Sequence, residues 1–124
     1  MKSFASPNAA IVAALTALFP KDTVGNHPIG HLKYTGPAAQ YCIFKTSNRL
    51  AEVIGSGKNQ VVGCYGYIDY FSTTDDSGAG KKIALIETAL RAAGFKVTDV
   101  SDSGIDEVTG QFHTEFSIYL AVAV

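Results

Sequence analysis

The chain of 124 residues has no tryptophan, one methionine, two cysteines and four prolines, and only 17% of it is charged. Each scarcity removes a class of protein. Two cysteines allow a single pairing, so the multi-disulfide framework of a small secreted scaffold is not available. Cys42 and Cys64 both sit in apolar, strand-like stretches outside any C-x-x-C or Cys/His cluster, and they read as buried free thiols. The formal net charge is −1, so no strong field of one sign draws the chain to nucleic acid or to an anionic membrane. Low-complexity tracts are missing as well. The apolar run near the N-terminus, residues 9–19, is too short to cross a bilayer, and Leu18-Phe19-Pro20-Lys21 offers no small-x-small cleavage site behind it. The expectation is a cytoplasmic protein with no membrane partner.

What is present is a 47% apolar fraction, enough at this length to bury one hydrophobic core, and residues 1–124 read as a single domain. Ser6-Pro7 forms a helix entry, and Ile11, Leu15, Leu18 and Phe19 follow as one apolar stripe that Pro20 limits. Residues 21–36 are rich in Gly, Pro, Asn and His and read as a long loop with one short strand near residues 31–34. Residues 40–46 read as a strand. Residues 49–54 read as another strand or as the rising arm of a hairpin, which reverses at Gly55-Ser56-Gly57-Lys58-Asn59 into the β-rich residues 60–71. A second helix spans about residues 79–93, with Ile83, Ile86, Ala89, Leu90 and Ala93 on one face and Gly94 placed for a left-handed cap. Residues 95–100 form a strand and residues 102–110 a polar turn. The alternation of Phe112, Thr114, Phe116, Ile118, Leu120, Val122 and Val124 with polar neighbours marks a final half-buried strand. The fold class is α+β, in the order α-β-β-β-α-β-β: a mostly antiparallel sheet with a long β-hairpin and two helices packed on one face.

Charge is uneven along the chain. Residues 1–58 carry six basic and two acidic residues, and residues 59–124 carry four basic and nine acidic. One reading is a molecule with a positive and a negative side; the other is surface charge that intermixes on folding. Lys81 and Lys82 stand in the first turn of the second helix, where cations oppose the helix dipole. Both are either solvated or matched to an acidic surface on another chain. Tyr65, Tyr67 and Tyr70 share a strand interrupted by Gly63 and Gly66, which permits bending or close approach of a second backbone. Core packing and an interface role are both open to these rings.

No catalytic, cofactor-binding or metal site emerges. His27 and His31 are separated by Pro28 and Gly30 and so do not form a helical metal pair, while His113 falls on the polar side of the last strand. Gly57-Lys58 lacks the glycine five residues earlier that a phosphate loop needs, where Glu52 sits, and the following Ser or Thr, where Asn59 sits. Asp99, Asp102, Asp106 and Glu107 gather around one turn without calcium-loop spacing. Neither a serine nor a cysteine lies in a nucleophile elbow. The expectation is a protein that is not an enzyme.

The order of elements resembles the tail terminator, or tail completion, proteins of long-tailed bacteriophages, which also serve in head-tail joining. The likeness rests on the helix Pro7-Asn8-Ala9-Ala10-Ile11-Val12-Ala13-Ala14-Leu15 and the strand Gln40-Tyr41-Cys42-Ile43-Phe44. It continues through Tyr67-Ile68-Asp69-Tyr70-Phe71-Ser72, the helix Lys82-Ile83-Ala84-Leu85-Ile86-Glu87-Thr88-Ala89-Leu90 and the closing Phe112-His113-Thr114-Glu115-Phe116-Ser117-Ile118-Tyr119-Leu120. It spans nearly the whole chain as an order of elements, with no invariant motif. The resemblance implies a structural virion protein, assembled in the host cytoplasm into a ring, usually six-fold, that caps the tail tube. Its partners would be further copies of itself, the tail tube protein and the head-tail connector proteins, with DNA passing through the ring without specific binding. Heterologous ring contacts suit complementary charged sides, which makes Arg49, Lys58, Lys81 and Lys82 candidates for one side and Asp99, Asp102, Asp106 and Glu107 for the other; Tyr65 and Tyr67 are further interface candidates. Two other readings remain: a small-molecule or peptide-binding module or small enzyme using residues 21–36 as a pocket wall, and a dimer pairing through an edge strand.

Overall fold

A computed structural model of the chain describes residues 7–53, 60–75, 78 and 80–123. Ser6, Ile54, Lys58, Ala79 and the expected turn at residues 55–59 lie outside the described residues. Helix α1 spans Pro7–Leu15 and tightens into a 3-10 turn at Thr16–Leu18 before Pro20. It buries Ala10, Ile11 and Leu15, and Phe19 continues the same stripe beyond the helix end. Strands β1 (Ile29–His31), β2 (Gln40–Val53) and β3 (Gln60–Ser72) follow, then helix α2 (Lys82–Ala92) and strands β4 (Lys96–Ile105) and β5 (Phe112–Ala123). The class is α+β, in the order α-β-β-β-α-β-β.

The sheet runs β1-β2-β3-β5-β4, antiparallel throughout except for the β1–β2 pair, which is parallel. Strand alternation divides its two faces. Cys42 and Phe44 of β2, Cys64, Ile68 and Tyr70 of β3, Val97 of β4 and Phe116, Ile118 and Leu120 of β5 all point to one face and are buried. The helices cover that face with Ile11, Leu15, Ile86 and Leu90, none of which retains any exposed surface. Phe19 meets Tyr70 edge-on inside this layer, with ring centroids 5.8 Å apart.

Several boundaries differ from the sequence reading, each for a local reason. Residues 40–53 form one strand of 14 residues rather than two, because register with β3 carries Ser47 and Asn48 across their weak strand preference, opposite Tyr65 and Cys64. Strand β4 runs on through residues assigned to a turn. Pairing of Ser101, Asp102, Gly104 and Ile105 with β5 absorbs them, aided by a register shift between Asp102 and Gly104, where Gly104 has φ +73°. Strand β1 lies two residues earlier than expected. A side chain at Gly30 would strike the Lys33 carbonyl, and Leu32 has φ +68°, so the chain bends away as soon as His31 has paired with Phe44. Helix α2 starts at Lys82 and ends as the sequence indicates. Gly94 has φ +100°, the Phe95 N–H donates to the Leu90 carbonyl and the Gly94 N–H to that of Arg91, the paired bonds of a Schellman cap.

Candidate functional site

Among the described residues, no helix lies over the second face of the sheet. It carries Tyr41, Ile43 and Lys45 of β2, Tyr65, Tyr67, Asp69 and Phe71 of β3, and His113, Glu115, Ser117 and Tyr119 of β5, in rows fixed by strand register. At one end the rings stack on one another. Tyr34 stacks on Tyr41 (4.9 Å between centroids), Tyr41 on Phe71 (5.1 Å) and Phe71 on His113 (4.5 Å, 3° between planes). Tyr41 and Phe71 each stack with two neighbours, and Tyr34 and His113 close the row at its ends. Burial raises the phenol pKa of Tyr41, as does the charge of Asp106. Its hydroxyl donates to Gln111 Oε1 at 3.0 Å, tying the row to the β4–β5 turn.

His113 Nε2 and Asp69 Oδ1 are 2.7 Å apart across β3 and β5. This carboxylate–imidazole pair has aromatic rings on one side and Glu115 opposite Asp69 in register. The imidazole is held both by the carboxylate and by Phe71. The pair was not legible as a unit, because its members are 44 residues apart and meet only through β3–β5 register.

At the other end the face is open. Tyr65 and Tyr67 keep 47% and 45% of their surface exposed, Tyr65 leans on Tyr119 (4.8 Å) and the Lys45 ammonium sits 5.9 Å from the Tyr67 ring centroid. A side chain at Gly63 would reach within 2.8 Å of the Tyr119 ring, so that glycine leaves room for the tyrosine to lie over the strand. Two shallow grooves meet here. One, of about 400 Å³, is lined by Leu32, Ile43, Lys45, Tyr67, Asp69 and Glu115; the next, of about 370 Å³, by Lys45, Thr46, Ser47, Tyr65 and Tyr67. They share Lys45 and Tyr67 and run along the β2 side of the sheet.

The residues singled out from the sequence fall in different places. Tyr65 and Tyr67 lie on the open face, and Asp99 is exposed on β4 opposite Ser117. Arg49 is placed by its pairing with Gly63 and Asp102 by its pairing with Thr114; their side chains, like Lys58, lie outside the description. Lys81 is exposed just before α2. Lys82 folds back on its own chain: its ammonium donates to the Leu18 carbonyl and lies 5.0 Å from the Phe19 ring centroid. Reversing Lys82 therefore disturbs the α1–α2 junction, and Lys81 alone gives a clean test of that surface. Asp106 is a turn residue whose Oδ1 accepts the Val108 and Thr109 N–H groups, while Glu107 beside it is exposed. The Lys45 cation, at the centre of both grooves, was not among the sequence candidates; its odd-numbered parity with Tyr41 and Ile43 in β2 was the available signal.

The loop at residues 21–36 is held by its own bonds. Asp22 accepts from the Val24 and Asn26 N–H groups and from the Tyr34 hydroxyl, and that hydroxyl in turn accepts the Ala38 N–H. The Asn26 bond is the main cause that lowers the Asp22 pKa, whereas burial raises that of Tyr34. His27 Nδ1 lies 2.7 Å from the Phe19 carbonyl, which requires the proton on that nitrogen. Between this loop and Thr73–Thr74 lies a mostly apolar cavity of about 460 Å³. Among the described residues no group of three or more His, Cys, Asp or Glu is placed to hold a metal ion, and no helix is long and apolar enough to cross a membrane. No protein-family model matches the chain, and no curated protein matches it either.

Proposed function

We propose that this chain is a structural subunit rather than an enzyme, and that copies of it assemble into a ring. In the form that the sequence resemblance implies, the ring is six-fold, caps a phage tail tube and meets the head-tail connector, with DNA passing through unbound. The observation that carries the assembly reading is what the helix-free face of the sheet displays among the described residues: an antiparallel sheet commonly leaves one face to solvent, but this one carries half-exposed tyrosines beside two adjoining grooves. Exposed tyrosines are enriched in protein–protein contacts, and the charged residues beside them suit the polar rim of such a contact. The same face is poorly built for single-stranded nucleic acid. Tyr41 and Phe71 already stack with two neighbours each, and Asp69 and Glu115 at the centre of the face repel phosphate.

Light scattering coupled to size-exclusion chromatography, with negative-stain imaging, tests the reading. The expected result is a closed ring at micromolar chain concentration, weakened by the double variant Tyr65→Ser/Tyr67→Ser while its melting temperature stays within a few degrees of the parent. A chain that stays monomeric with and without tail tube protein overturns it. The cavity beside residues 21–36 favours the second reading, a module for a small apolar ligand; a monomer that a metabolite stabilises against heat is its signature.

A further inference from the structure

Among the described residues the sheet has two open borders, and they differ in charge. Strand β1 covers β2 only at Cys42, Ile43 and Phe44, with the Leu32 N–H adding a last bond to the Phe44 carbonyl. From Lys45 onward, β2 has β3 on one side and, among the described residues, no strand on the other. Its regular stretch there is Lys45 to Arg49, ended by a register shift before Glu52. At the far border β4 is last in order. Its first part is occupied, because Arg91 donates to the Val97 carbonyl, and register shifts fall between Val97 and Asp99 and between Asp102 and Gly104. The regular open stretch is therefore Asp99 to Asp102. Strand β1 and a register shift bound the first window, the Arg91 bond and two register shifts bound the second, and each is four or five residues long, short enough to limit indiscriminate edge pairing.

The two windows match. Lys45 and Asp99 stand at opposite ends of one row of the open face, Lys45–Tyr67–Ser117–Asp99, and both are exposed. Strand β4 runs antiparallel to β2, so a neighbouring copy in the same orientation presents β4 to the β2 border in antiparallel sense, the more stable arrangement per residue. Side-chain parity restricts the register, since open-face residues must adjoin open-face residues. Asp99 then falls opposite Lys45, Ser47 or Arg49, and in each case it has a basic position of β2 directly opposite or diagonal to it. The grooves at Lys45, Ser47, Tyr65 and Tyr67 lie beside that border and receive the side chains of an added strand.

We infer that the Asp99–Asp102 stretch of β4 in one copy adds as an antiparallel strand to the Lys45–Arg49 border of β2 in the next copy, with Asp99 meeting the basic residues of that border. This rests on the ring reading and specifies its contact. The contact is heterologous, with different surfaces on its two sides, as a ring requires.

A charge exchange tests it. Lys45→Glu and Asp99→Lys each place like charges across the contact and are expected to lower subunit association at least about tenfold; the double variant is expected to restore it. Both positions are exposed, and unchanged melting curves confirm the fold of each variant. Hydrogen exchange on the unaltered protein is the second measurement: amides of residues 45–49 and 99–102 are expected to slow on assembly. Rings that persist in both single variants, or assembly without protection of those amides, overturn the strand addition while leaving the ring intact. A parent chain that never associates overturns the ring reading itself.

Discussion

Cys42 shows how one side chain records its surroundings. It is fully buried beneath α1 and α2, and burial is the main cause that pushes its thiol pKa well up, with nearby Lys82 pulling the other way. Cys64, 4% exposed, is shifted in the same direction by the same cause. A folded-state pKa above the unfolded value means that the neutral thiol's contribution to stability is fully present below the unfolded pKa and is lost as pH rises past it. The expected outcome is a urea midpoint that falls from about pH 8.5 upward, with a shallower fall in Cys42→Ala despite its lower starting stability. Native protein is expected to react with a thiol reagent only as fast as it unfolds. That Cys42 is buried was legible in the sequence from its apolar strand. What surrounds it was not, because α2 reaches it from forty residues away.

Among the strands, β1 is the shortest and has the widest effect. Gly30 and Leu32 end it after three residues, and that stop leaves β2 uncovered from Lys45. A leucine in the left-handed region is held at a cost of about 1–2 kcal/mol. Leu32→Asn is expected to match or raise the stability of the parent, whereas Leu32→Val lowers it by roughly 1 kcal/mol, because a branched Cβ fits that region worst. Urea denaturation of the two variants checks the difference. The elements legible in the sequence were those whose signal is local: the alternation of β5, the stripe of α2 and its Gly94 cap. Strand β1 was misplaced because the close Gly30–Lys33 approach and the positive φ of Leu32 leave no periodic signal, whereas the continuity of β2 through Ser47 and the length of β4 were misjudged for a shared reason. Both of these are decided by a cross-strand partner distant in sequence, and no window of consecutive residues contains that information.

At the scale of the molecule, the two helices and five strands of the described residues leave a sheet with one dry side and one inhabited by tyrosines, charges and a stacked aromatic row. The division into faces follows from parity and was legible. The rows across the strands follow from register, and with them the pairing of Asp69 with His113 and the alignment of Lys45 with Asp99, which the sequence order conceals. The aromatic row has a further consequence that depends on the missing tryptophan. With no indole to dominate, the near-ultraviolet dichroism of this chain comes from its six tyrosines and seven phenylalanines. Four of those tyrosines are in ring contact with another, Tyr34 with Tyr41 and Tyr65 with Tyr119. Coupled transitions in such pairs rotate light more strongly than isolated phenols, so Tyr41→Phe is expected to remove more of the signal than Tyr67→Phe, whose ring lies beside a lysine. Equal losses would show that the rings do not stack in solution. The protein thus contains its own optical gauge, one pair reading the loop end of the sheet and the other the open end, and each can be followed without a label while partners are added.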